Sequence, residues 1–433
     1  RYDVRMLLAL VLAANLTFDF PAVHVGVAEY EDGPTGATVF YFPKTAKVAV
    51  DVRGGAPATI NTDTLRLAYD EPYVDAISFA GGSSYGLSAA TGAAHELKVR
   101  SANAGDWANI ATVAGAIIFD LGGRRYNTVV PDFELGREAM RGAQTGVFPM
   151  GARGAGRFAM QGGYYGDEAR QHSGQGAAIR QVGPTKIAVF TVVNSLGAIV
   201  NRKGELMPCD DAVEPCRTIS DLLSARVQSI KTANTVAAKE DDDRRPTEAT
   251  TLTLVVTNQK LPYWALQRLA IHVHTSMARA IQPFHTTRDG DVLFAASTEE
   301  IVNDKLSVAD LGVVASEVAW DAILSSIPQF DRPGNTLVLR VAESRLQRFA
   351  ATYEFAPGAT ATVTREGGQL FFGASKGSIY FPEKQRFEID PVGPWDFVMR
   401  NPKRTRIRFD SGGGMTVNPG SWPLRAKRVN ASS

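Results

Sequence analysis

Apolar and polar positions alternate in short runs through residues 18–60. VHVGVAEY, DGPTGATVFYF and KVAVDVRGG each join an apolar stretch to turn formers, the texture of strands linked by hairpins. Val74–Ala80 (VDAISFA) is a continuous apolar run that reads as a buried strand, leading through GGSSYG into Leu87–Leu97, which reads as a helix. Ile187–Val193 and Gly197–Val200 predict a strand pair broken near Asn194, and residues 217–231 carry helical spacing. The periodicity then stops. Thr232–Ala249 contains KEDDDRRPTEA, dense in charge, and predicts an exposed linker. Thr250–Asn258 (TTLTLVVTN) restarts abruptly as a strongly β-prone strand. Pro262–Ile281 and Ser307–Ile327 read as helices, the second opened by Ser307 and Asp310 in a capping-box-like arrangement. Pro328–Asn335 (PQFDRPGN) is rich in turn formers and marks a boundary. Beyond it, Val341–Ala351 predicts a short helix, and brief strands separated by APG, EGG, KGS, NPK and SGGG predict a small all-β domain over residues 336–433.

Composition narrows the classes. A chain of 433 residues has room for two or three domains at roughly 150 residues each. Hydrophobic residues at 44% and charged residues at 21% are those of a globular protein, which argues against wholesale disorder. The 46 Lys and Arg nearly balance 45 Asp and Glu, so the basic excess of a general nucleic-acid binder is missing. No apolar run reaches the ~18 residues of a membrane span. Met6–Ala14 (MLLALVLAA) after Arg5 reads equally as the end of a signal peptide or as a buried element, so the compartment stays open. Cys209 and Cys216 would pair in an exported protein and stay free thiols in a cytosolic one.

Several segments carry candidate chemistry. Gly82-Ser83-Ser84-Tyr85-Gly86 matches G-x-S-x-G between a strand and a helix, the context of a nucleophile elbow with Ser84 exposed. No histidine signature accompanies it, and a structural glycine-rich turn lining a pocket is the favoured reading. His272, His274 and His285 lie near one another in sequence, but positions i and i+2 of a helix face different ways, and no metal site is expected. Asp289-Gly290-Asp291 brings two carboxylates together on a turn, which reads alone as a solvated hairpin tip. The sharpest feature is the charged linker running into Thr250. A hydroxyl at the head of a strong strand, behind an exposed loop, suits an N-terminal nucleophile. Its hydroxyl attacks the preceding carbonyl, and the amine released afterwards serves as the base for that same hydroxyl. The competing reading is a loop entering an ordinary core strand.

FDFPAVHVGVAEYEDGPTGATV, AVDVRGG, FAGGSSYGL, VVPDFELGREA, SGQGAAIR, TTLTLVVTN and HTSMARAIQPFHTTRDGDVLFAAST occur in this order through residues 18–327. In them the chain resembles the self-processing amidohydrolases that include the L-aminopeptidase/D-esterases, the β-aminopeptidases and, nearest in pattern, the nylon-oligomer (6-aminohexanoate-oligomer) endohydrolases. The resemblance implies an α+β fold, a four-layer αββα sandwich of the N-terminal-nucleophile type spanning residues 1–335, cut between Ala249 and Thr250. It implies hydrolysis of amide bonds in small peptides or amino-acid oligomers, no cofactor and a homo-oligomer. By position, Thr250 matches the nucleophile, Asp289 and Asp291 the pair that orients it, and Asn194 a residue that helps hold the oxyanion. Gly81, Gly82, Ser83, Ser84 and Tyr85 match a turn lining the substrate pocket. Three positions depart from the pattern: Ala249 stands where the nylon-oligomer branch has Asn, Phe119 where a tyrosine is expected, and Gln161–Tyr165 contains no lysine where a pocket lysine is expected. The last two remove polar groups, and a non-catalytic relative that binds amino-acid-like ligands is the alternative they favour. Residues 336–433 resemble instead the small β-domain appended to β-lactamase-like serine hydrolases, whose S-x-x-K and K-T-G motifs are absent. An accessory module packed on the core or covering its pocket is expected.

Overall fold

The computed structural model describes residues 15–67, 72–101, 110–166, 169–209, 215–233, 249–328, 338–339 and 341–429. Met6–Ala14, residues 234–248 of the charged linker and residues 329–335 of the turn-rich boundary lie outside them.

Eight strands build most of one nine-stranded sheet: β1 (His24–Tyr30), β2 (Thr35–Val52), β3 (Tyr73–Ala80), β4 (Val113–Ile117), β5 (Gln175–Val182), β6 (Thr185–Asn194), β7 (Thr250–Gln259) and β8 (Val292–Ile301). The order is β5-β6-β7-β8-β2-β3-β4, with the two-residue strand Thr59–Ile60 beyond β4 and β1 also on β2. Pairing is parallel for β7 with β8 and for β3 with β4, and antiparallel elsewhere. The 18-residue strand β2 is the hinge of the architecture. Its first part pairs with β1 and β3; after a register shift between Tyr41 and Ala46, its last residues pair with β8. The ladder thereby folds over into two facing layers.

Period-2 alternation sorts the side chains between layers. Leu252, Leu254 and Val256 of β7 meet Phe40, Val48, Phe79, Phe190 and Phe294 in a core between the two sheet halves. Val255 points the other way, with Leu293 and Ala295, onto helices α3 (Tyr263–Ser276) and α4 (Val308–Ser325). On the opposite outer face, Ala37, Val39, Ala76 and Ala80 pack under α1 (Ser88–Arg100) and α2 (Phe133–Arg141). The result is the expected αββα sandwich. Its central core is aromatic: Phe40 lies 5.1 Å from Phe190 and 5.4 Å from Phe79, ring centre to ring centre. Burying each such ring stabilises by about 1.5–3 kcal/mol. The expected cap of α4 is present, with the Asp310 amide donating to Ser307 Oγ at 3.1 Å.

In the C-terminal region, eight antiparallel strands from Ala351–Ala356 to Leu424–Arg428 close into a barrel, the last pairing with the first through Tyr353 and Arg428. Phe372, Ile389, Ile407, Phe409 and Val417 fill it. The barrel rests on the sandwich: Phe158 and Met160 belong to its apolar cluster, and the Trp422 indole donates to the Arg157 carbonyl at 3.0 Å. Cys209 and Cys216 are joined as a disulfide, one of the two states the sequence left open.

Candidate active site around Thr250

β-branched residues crowd the start of β7, Thr-Thr-Leu-Thr-Leu-Val-Val, and favour an extended chain from its first residue. Thr250 is therefore fixed in the sheet, 4% exposed, directly opposite Asn194 at the end of β6. Its hydroxyl donates to the Ala249 carbonyl at 2.6 Å. The Gly290 amide donates to that same oxygen at 3.0 Å. A Cβ at residue 290 would stand 2.6 Å from Thr250 Oγ1, so only glycine lets the turn come this close to the hydroxyl.

That turn carries the two carboxylates, and neither is a solvated hairpin tip. Asp289 is 1% exposed and Asp291 is wholly buried. Asp289 accepts from the Leu196 amide at 3.2 Å and the Thr286 amide at 2.9 Å. Burial first, and then the Asp291 charge, push its carboxyl up to about 6 against the opposing pull of these donors. Asp291 accepts from the Thr251 amide at 2.7 Å through one oxygen; the other meets the amide and ring of His285. The two carboxylates thus hold backbone around Thr250: Asp291 the amide of Thr251, Asp289 those of Leu196 and Thr286.

Asn194 belongs to a second cluster. Its Oδ1 accepts from the Met160 amide at 3.1 Å and from the Arg124 guanidinium, while its Nδ2 donates to the Phe119 carbonyl at 3.2 Å. Arg124 also donates to the Phe119 carbonyl, at 2.7 Å. Phe119 thus joins the cluster through its main chain, and its phenyl ring lies 5.9 Å from the Arg124 guanidinium carbon. In front of Ala249, Arg124 and Arg170 line a small pocket with Met160, Gln161, Ser195 and Leu196. The sequence signalled neither arginine, because no motif surrounds them; strand pairing and the loop after β4 bring them in. They place guanidinium groups beside the segment that lacks the expected lysine.

The glycine-rich turn stands one step back. Gly82 adopts φ +81°, and its amide donates to Asp120 at 2.8 Å. A Cβ on Gly81 would strike the Asp120 carboxylate at 2.4 Å. Asp120 follows Phe119 directly, so the turn of Gly81, Gly82 and Ser83 braces the segment whose carbonyl reaches Asn194. Ser84 and Tyr85 are exposed. No group of three metal-ligating residues occurs among the described residues. No described helix is long and apolar enough to cross a membrane.

One pocket wall leans on the barrel. Met160 and Gln161 pair with His172 and Gln171. His172 stacks on Trp422 with ring centres 3.9 Å apart, and its Nε2 lies 2.9 Å from the Tyr380 hydroxyl. Burial, then the Lys403 and Arg124 charges, push this imidazole well below its ordinary value, so it sits neutral in the contact.

Comparison with known proteins adds three findings. The model of peptidase family S58 matches residues 15–330, leaving the barrel outside the match. The 6-aminohexanoate-oligomer endohydrolase of Paenarthrobacter ureafaciens is 39% identical over 326 residues, covering 72% of this chain and 85% of that protein. Its counterpart in a Kocuria strain is 39% identical over 325 residues, covering 72% and 86%. Two solved structures share the fold at 16% identity and a TM-score of 0.50: a Burkholderia β-aminopeptidase, covering 72% of this chain and 88% of that one, and an Ochrobactrum anthropi L-aminopeptidase D-Ala-esterase/amidase, covering 70% and 83%.

Proposed function

The chain belongs to peptidase family S58, and on that premise we propose that Thr250 is the nucleophile of an amide hydrolase that first cuts its own chain after Ala249. One observation carries this reading: the Thr250 hydroxyl and the Gly290 amide converge on the Ala249 carbonyl oxygen, at 2.6 and 3.0 Å. The amide donor is in place to stabilise the charge that develops on that oxygen when the hydroxyl attacks the carbonyl carbon. The C–N bond then breaks, the nitrogen takes a proton, and the Ala249 acyl group passes to Oγ as an ester. Water cleaves the ester, leaving a carboxylate on Ala249 and a free amine on Thr250. In the processed enzyme that amine takes the proton of the hydroxyl as it attacks a substrate amide, with Asp289 and Asp291 orienting both groups. Asn194, tied to Arg124, faces the same strand end and serves the oxyanion.

The substrates are small peptides or amino-acid oligomers, as the names of the relatives suggest. The arginines of the pocket suit a substrate that carries a free carboxylate near the scissile amide, since a guanidinium matches that group with two parallel donors. Residues 336–433 act as an accessory β-domain on the 1–335 hydrolase unit. The test is intact mass before and after incubation, with amide turnover, in wild type and Thr250→Ala. Expected are two associated chains and turnover in wild type, and one full-length chain without turnover in the variant. A chain that stays whole and turns nothing over would instead support a ligand-binding relative. Turnover retained in Thr250→Ala would return attention to Ser84.

A further inference from the structure

His285 plays no part in the chemistry above, yet its conformation is unusual. It adopts φ +57°, a left-handed backbone that a histidine enters at a cost. In that conformation its amide and its ring Nδ1 both reach the same oxygen of Asp291, at 3.2 and 3.0 Å. The other oxygen of Asp291 takes the Thr251 amide, one residue from the nucleophile. Asp291 is buried completely, and the side chain of His285 is 18% exposed. Behind His285 lies a second buried histidine. The rings of His274 and His285 meet edge to face at 4.3 Å. His274 Nδ1 lies 2.9 Å from Asp51 Oδ2, and the Arg53 Nε donates to the same oxygen at 2.6 Å. The Nε2 atoms of both histidines are buried without a hydrogen-bond partner, so each ring spends its one polar contact on a carboxylate.

We propose that His285 is a positioning residue: by donating from its ring to Asp291 it aims that carboxylate at the strand carrying the nucleophile. The left-handed backbone is the price of placing amide and ring on one oxygen. With that oxygen occupied, the other is held on the Thr251 amide, which fixes where β7 begins relative to the Asp-Gly-Asp turn. The inference rests on the reading of Thr250 as nucleophile. The charged and titratable groups around this contact are Asp289 and Asp291 on its own loop, His274 on α3, and Asp51 and Arg53 at the end of β2.

Three substitutions separate donation from backbone shape. His285→Asn tolerates the left-handed conformation and offers an Nδ2–H where the ring offered Nδ1. His285→Gly keeps the backbone and loses the donor. His285→Asp tolerates the backbone and sets a carboxylate against Asp291. Expected for the full chain are turnover and self-cleavage within about threefold of wild type for Asn, and losses on the order of tenfold or more for Gly and larger ones for Asp. The losses should fall on kcat rather than KM. In the Gly variant the acid limb of the rate profile should move to higher pH, because the carboxylate pair that has lost a donor holds its proton more tightly. Circular dichroism checks the fold; should the Gly variant not fold, the Asn and Asp pair decides. Equal kcat and an unmoved acid limb in the Asn and Gly variants would overturn the proposal, as would a folded Asn variant as slow as Asp. Thr250→Ala run alongside keeps the two claims apart: activity there sinks the nucleophile, whereas equality of the 285 variants in a Thr250-dependent enzyme sinks only the positioning role.

Discussion

Two of the sites that bury aspartates among the described residues are built on opposite principles. Asp120 is enclosed with Arg125, the ion pair 3.1 Å apart and both side chains essentially inaccessible. It also accepts from the Thr35 hydroxyl at 2.6 Å and the Gly82 amide. Asp289, across the site, has a carboxylate for a neighbour and no ion pair among the described contacts, and its carboxyl rises to about 6. A buried charge matched by a cation and several donors is scaffold: it fixes the glycine-rich turn and the Phe119 carbonyl. A buried carboxylate set beside another is poised to exchange a proton near neutrality. The same residue type therefore braces one wall and, on the proposed reading, serves the chemistry of the other.

The comparison is open to attack at each end. Asp120→Ala strands Arg125 without its counter-charge, and a loss of about 3–5 kcal/mol of folding stability is expected, with turnover per folded molecule near wild type. Chemical denaturation beside active-site titration checks this, and a variant that folds normally but turns over nothing would erase the distinction. Asp289→Asn and Asp291→Asn should do the reverse. Turnover and self-cleavage should each fall on the order of 10²-fold with the circular dichroism spectrum unchanged; rates near wild type would return Asp-Gly-Asp to the rank of an ordinary turn. Arg124→Gln tests the polar cluster between the two ends. A drop of roughly tenfold in kcat/KM is expected, within the range for one charge-assisted contact, larger for substrates with a free carboxylate than for their amides. An equal drop for both would assign Arg124 to Asn194 alone.

The smallest effect is a shift in pH. In the uncut chain Asp289 takes up a proton as pH falls through about 6, so self-cleavage should slow below that value. If Thr250 is freed as proposed, its ammonium would stand beside the turn and favour the ionised carboxylate. The acid limb of substrate hydrolysis should therefore lie at lower pH than that of self-cleavage. Two coincident limbs would show that Asp289 does not sense the new terminus.

Local signals made much of the fold legible. The abrupt restart at Thr250, the turn formers of Asp-Gly-Asp and the serine cap of α4 depend on a few neighbouring residues, and each shows in the sequence. What stayed hidden was non-local. Nothing around Arg124 or Arg170 marks a pocket residue, since their arrival depends on pairings across the sheet and on the loop after β4. His272 and His274 read from their spacing as a poor ligand pair, and nothing in the sequence marked His274 and His285 as neighbours; their meeting edge to face beside Asp51 and Asp291 required the ends of α3, β2 and the turn before β8 to converge. Short strands behind the boundary suggested a β-domain, but closure through Tyr353 and Arg428 joins its first and last strands and leaves no local trace.

The stacking of His172 on Trp422 gives the enzyme a tuning point outside its own family. Met160 and Gln161 shape the pocket, their strand partner His172 rests on the barrel, and the barrel lies beyond the residues shared with the S58 relatives. Trp422 and Tyr380 reach that wall through His172, whereas Asp289 and Asp291 are held by backbone amides of the loop after β6, of β7 and of the turn before β8. On the proposed reading of Thr250, a directed-evolution library confined to the barrel would reach the pocket wall through His172 without altering Thr250, Asp289 or Asp291.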